Sequence, residues 1–128
     1  MKSANIAPAY ACLYPGLCEI ARKLGYALAI HGSVTTDLDL IACPWVDEAV
    51  EPNFLADSLK EHIGACSYPE LLRRARVPEE HIADLVARKN KGKDPEMKPH
   101  GRKAWNLYLD HGCRVDLSIM PKRKAADE

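Results

Sequence analysis

The sequence lacks a net charge: 18 Lys and Arg balance 18 Asp and Glu over 128 residues. The field of the whole molecule therefore favours neither nucleic acid nor an acidic membrane. It also lacks any C-x-x-C spacing, and its five cysteines (Cys12, Cys18, Cys43, Cys66 and Cys113) are an odd number. That argues against a zinc ribbon and for a reducing compartment, where free cysteine acts as a small hydrophobe. No apolar run approaches the ~18 residues of a membrane span, and the N-terminus has no basic region followed by an apolar one. A cytoplasmic protein is expected, with neither secretion nor membrane insertion. No internal repeat is present.

What remains is ordinary for a single globular domain, with 47% apolar and 28% charged residues. A chain of this length buries roughly two-thirds of its unfolded surface, so its core needs no disulfide or metal to hold it. The charge balance is uneven along the chain. Between Arg88 and Lys124, eleven Lys and Arg stand against four Asp and Glu. Such a stretch is either a solvated face or a contact for phosphates.

Apolar spacings of three and four at Leu13, Leu17, Ile20, Ala21 and Leu24 predict a first helix within about 7–24. Its firm part is expected to begin at Pro15, a residue suited to a first helical turn, and Gly25 stops it. The run from Tyr26 to His31 predicts a buried strand, and Asp37 to Cys43 a second strand ended by Pro44. Phe54, Leu55, Leu59 and Ile63 predict a helix from Asn53 to about Cys66. Pro69 to Lys89 predicts two short helices separated at Pro78, and 90–101 a loop. Alternation on both sides of His111-Gly112 predicts a closing β-hairpin. The expected architecture is α+β: a small mixed β-sheet with helices packed on one side, over 1–121. A helical insert occupies about 53–90, and 122–128 is expected to be a disordered basic tail.

The chemistry-bearing residues gather on this predicted sheet. Asp37 and Asp39 stand two apart, so a strand points both to one face. Asp116 lies among Val115, Leu117 and Ile119, where an unpaired carboxylate is costly. A divalent metal would compensate it, and so would a salt bridge to Arg114 or Arg102. For Asp37, metal binding and the capping of a turn both remain open. Gly32-Ser33 follows the first strand directly, offering backbone amides and a hydroxyl where phosphates sit. Gly32 is equally a backbone necessity after a strand. His31 reads as structural, Trp45 and Trp105 as core or rim packing, and Cys43 and Cys113 as structural rather than nucleophilic.

The segment HGSVTTDLDL, followed far downstream by VDLSIMP, resembles the signature of the polymerase-β-type nucleotidyltransferase superfamily. With HGRKAW added, it resembles small phage-encoded nucleotidyltransferase-like proteins. The resemblance covers roughly 7–50 and 99–121 and omits the helical insert. It implies Mg²⁺ or Mn²⁺ on Asp37, Asp39 and Asp116, with Asp116 as the base for an attacking hydroxyl. It further implies that Gly32 and Ser33 hold the phosphates of an NTP, whose nucleoside monophosphate passes to a hydroxyl or phosphate acceptor. A homodimer or a host protein partner is implied in the same way. One departure is visible: only Val34, Thr35 and Thr36 separate Gly32-Ser33 from Asp37, where the superfamily has a longer stretch that opens a helix. The phosphate grip is then expected from His100, Arg102 and Lys103, or the chain is an inactive relative that binds a host protein or nucleic acid.

Overall fold

A computed structural model describes residues 7–89, 95–109 and 112–122. The chain runs α1 (Ala7–Lys23), β1 (Tyr26–His31), β2 (Asp37–Pro44), α2 (Pro52–Ile63), α3 (Tyr68–Arg74), α4 (Glu79–Lys89), β3 (Glu96–Met97), a 3-10 turn (Pro99–Gly101), β4 (Lys103–Tyr108) and β5 (Arg114–Ile119). The strands form one sheet in the order β1-β2-β5-β4-β3. Only β2 and β5 are parallel; the other pairs are antiparallel, which makes this a mixed α+β fold. Among the described residues no helix is long and apolar enough to cross a membrane.

Alternation in the two central strands divides the sheet into unlike faces. Leu38, Leu40 and Ala42 of β2 pair in register with Val115, Leu117 and Ile119 of β5, and all six are fully buried. Trp105 and Leu107 of β4 extend this layer, and Tyr10, Leu17 and Ala21 of α1 with Leu55, Ala56 and Leu59 of α2 cover it. Burying each such leucine contributes about 1.5–3 kcal/mol. The opposite face carries Asp37, Asp39, Arg114, Asp116 and Asn106.

Several sequence expectations need correcting. Helix α1 passes through Pro15 and already begins at Ala7. An interior proline costs ~3 kcal/mol or more in an isolated helix, and here tertiary bonds hold the turns before it. The Tyr10 hydroxyl donates to Thr36 O at 2.7 Å and accepts from the Arg114 amide at 3.0 Å. Tyr14 donates to Leu28 O at 2.7 Å. Tyr10→Phe is expected to cost ~1–3 kcal/mol, since it strands a carbonyl and an amide that one hydroxyl joins; urea denaturation of the two proteins measures it.

Strand β1 is an edge rather than a buried strand, and Ala27, Ala29, Ile30 and His31 are exposed. Its outer side is partly blunted by Tyr14 on the Leu28 carbonyl. In α2, Phe54 points outward at 57% exposure, because the buried stripe runs through Leu55, Ala56 and Leu59. The break between α3 and α4 starts at Ala75, ahead of Pro78, and Arg76 takes φ 63° there. Trp105 is in the core as expected, whereas Trp45 is 61% exposed. The predicted loop contains β3, paired to Lys103 and Ala104; its residues 90–94 lie outside the described residues, as do Asp110, His111 and all of the tail beyond Lys122.

Candidate functional site

Register alone assembles the site. On the face away from α1 and α2, His31, Asp39, Asp116 and Asn106 form one row across β1, β2, β5 and β4. Asp37, Arg114 and Tyr108 form the next row towards the β4–β5 turn. Asp39 and Asp116 stand side by side on parallel strands, about 4.8 Å apart in backbone spacing. Both carboxylates are half-buried.

Asp37 has a different partner. Arg114 Nη2 donates to Asp37 Oδ2 at 2.5 Å, and Nη1 donates to Asn106 Oδ1 at 3.1 Å. Asp37 thus takes an ion pair with Arg114, a partner that the sequence offered to Asp116 and not to Asp37. Burial works against the charge on Arg114, but the bonds to Asp37 and the nearby Asp116 carboxylate outweigh it and raise its pKa. Among the described residues, no three His, Cys, Asp or Glu side chains converge as a metal-holding group. The structure brings Asp39 and Asp116 together and turns Asp37 onto Arg114.

Burial raises the Asp116 carboxyl above its ordinary value of 3.8; Arg114 opposes this, and the Asp39 and Asp37 carboxylates add to it. The folded chain therefore holds this proton more tightly than the unfolded chain. Its stabilising effect is complete below about pH 3.8 and is lost as pH rises through the raised value. In chelator, Asp116→Asn is expected to be more stable than wild type at pH 7, and the gain should vanish in acid. Urea denaturation across pH in EDTA measures both.

Gly32, with φ 80°, makes room for the pair. A Cβ there would lie 2.8 Å from Asp39 Oδ2, so only glycine lets this carboxylate lean against the turn. The turn itself is tight. Ser33 Oγ and Thr35 Oγ1 share a hydrogen bond at 2.9 Å, and the β-branched Val34 adopts φ 61°, which such residues rarely do. Gly32 and Ser33 are exposed beside Asp39, and no helix intervenes before β2.

The predicted phosphate contacts separate. Arg102 Nη1 donates to Ser118 Oγ at 3.1 Å; Ser118 is two residues beyond Asp116 on the same face. Lys103 pairs with Ile119, which places it on the helix-covered face, away from the carboxylates. His100 sits in the 3-10 turn at φ 67°. Sequence reasoning missed Asn106 and Tyr108, whose signal is their phase with Asp116 and Arg114 in the hairpin.

The donor set fits one hard divalent cation. Mg²⁺ takes oxygen ligands and is usually held by one or two carboxylates plus water or phosphate. Asp39 and Asp116 are such a pair, and the space that a Cβ at Gly32 would fill keeps Asp39 free to lean. All five cysteines are described and free, with Cys12 and Cys43 exposed. No protein-family model matches the chain, and no curated protein or solved structure shows significant similarity to it.

Proposed function

We propose that the protein is a divalent-metal-dependent nucleotidyltransferase, with Asp39 and Asp116 as ligands for Mg²⁺ or Mn²⁺. The observation that carries this is the in-register pairing of the two carboxylates on parallel strands, beside the open Gly32-Ser33 turn. When bound, the ion neutralises charge on the transferring phosphoryl group and orients the attacking hydroxyl. The chain's own residues do the rest. Gly32 and Ser33 offer amides and a hydroxyl to the NTP phosphates, and Arg102 stands beyond Asp116 on the same face. Arg114 holds Asp37 and offsets the negative charge of the site. The acceptor oxygen bonds to the α-phosphorus as the bond to pyrophosphate breaks. Pyrophosphate leaves with the electron pair, and Asp116 takes the proton. The test is pyrophosphate release from each NTP with Mg²⁺ and a panel of hydroxyl and phosphate acceptors. Release that depends on Asp39 supports the reading; none with any NTP and acceptor opposes it.

A second reading rests on the Asp37–Arg114 ion pair, which leaves two free carboxylates where the resembled superfamily uses three. On that reading the chain keeps the fold without the reaction and serves as a binding protein for a host protein or nucleic acid. A purified partner whose affinity is unchanged by Asp39→Asn, together with absent metal binding, would favour it.

A further inference from the structure

The helical insert has a place in this site. A cleft of about 500 Å³ opens between α3 and the sheet, at the end where β2 and β5 begin. Tyr68, Leu71 and Arg74 line one wall, at spacings that put them on one helix face. Tyr108, Arg114 and Asp37 line the other. The Tyr68 and Tyr108 rings meet at 5.5 Å between centroids, tilted by 44°. The Cys66 and Tyr108 backbones exchange hydrogen bonds of 2.8 and 2.9 Å, which fix the start of α3 against β4. Arg73 bonds Glu79 at 2.8 Å and ties α3 to α4, so this wall is braced on both sides.

We propose that this cleft binds a small aromatic phosphomonoester, with Arg74 as its phosphate anchor. The volume lies within the ~300–1,000 Å³ of small-molecule sites and suits a nucleoside monophosphate. The lining joins the two chemistries such a ligand needs. The tilted Tyr68–Tyr108 pair, which meets across the cleft, and Leu71 give apolar surface for a ring system, and two guanidinium groups stand against one carboxylate. Arg114 is already engaged by Asp37 and Asn106. Arg74 reaches Glu70 only at 4.0 Å, a contact long and exposed enough to yield to a phosphate. A guanidinium fork matches phosphate bidentately, which a lysine does not. Asp37 on the cleft wall and Asp39 on the metal pair are two residues apart on one strand, about 7 Å. The cleft and the Gly32-Ser33 turn both lie at the end of the sheet where β2 begins, the turn on the β1 side and the cleft on the β5–β4 side. Calling a ligand in the cleft the acceptor rests on the proposed transfer reaction, but its binding does not.

The experiment is calorimetric titration in EDTA with phenyl phosphate and with AMP, on wild type, Arg74→Gln and Asp39→Asn. Arg74 is exposed, so its variant keeps the fold. Saturable binding of both probes to wild type is expected, weakened at least tenfold in Arg74→Gln and changed less than twofold in Asp39→Asn. No saturable binding to wild type overturns the proposal. So does equal affinity in Arg74→Gln, or a loss in Asp39→Asn matching that in Arg74→Gln, which would place the probes on the carboxylate pair. Failure of the transfer reading shows separately, as absent Mg²⁺·NTP binding, and leaves this metal-free titration intact.

Discussion

Asp39→Asn is expected to abolish Mg²⁺-dependent NTP binding while leaving the chain folded. The substitution is isosteric, and Leu38 and Leu40 on either side remain fully buried on the other face. Without metal the variant should be at least as stable as wild type, because the Asp39 charge helps to push up the Asp116 pKa. With metal the loss should be large. Removing even an outer partner of a metal ligand typically weakens metal affinity ~10–100-fold, and Asp39 is proposed as a direct ligand. Calorimetric titration of Mg²⁺·NTP into both proteins measures it. Equal affinity in the variant would remove Asp39 from the site.

Gly25→Ala is expected to cost about 3 kcal/mol, from ~1–2 for a Cβ in left-handed backbone and ~1–3 for overpacking. Gly25 ends α1 at φ 95°, and a Cβ there would come within 2.6 Å of the Ala49 backbone. The chain returns past this point closely: Trp45 N donates to Gly25 O and Val50 N to Leu24 O, each at 3.0 Å. Backbone cannot move aside as the end of a side chain can. Gly64, which ends α2 at φ 67°, is the control, since a Cβ there would meet nothing within 4 Å. Gly64→Ala should incur only the conformational cost. Thermal unfolding should separate the two, with Gly25→Ala lower by roughly 10 °C or more against wild type. Similar losses in both variants would show that the close approach to Ala49 is not what sets the cost.

Much of this fold is legible in local pattern. Asp37-x-Asp39 reads as one face of a strand because the side-chain period of a strand is two, and the hairpin reads from alternation around Gly112. What stayed hidden depends on residues distant in sequence. Nothing near Pro15 says that Tyr10 will bond Thr36 and Arg114, yet those bonds let α1 start before the proline. A short apolar run such as Tyr26–His31 does not distinguish an edge from a central strand, because Tyr26 and Leu28 alone face the core here. Asp37 reads as a metal ligand until Arg114, 77 residues away, is placed beside it. The insert has no legible role until Tyr68 meets Tyr108. Lys103 illustrates the opposite failure: proximity in sequence to Arg102 says nothing about which face it takes.

The central claim is that Asp39 and Asp116 form a divalent-cation site next to the Gly32-Ser33 turn. Substoichiometric Mn²⁺ added to isotopically labelled protein tests it most directly, through paramagnetic broadening of backbone amide resonances. The account predicts that Gly32, Ser33, Asp39 and Asp116 broaden first, and that Mg²⁺ in excess restores them. Broadening confined to exposed acidic residues elsewhere, such as Glu79 and Glu80 at the start of α4, would contradict it.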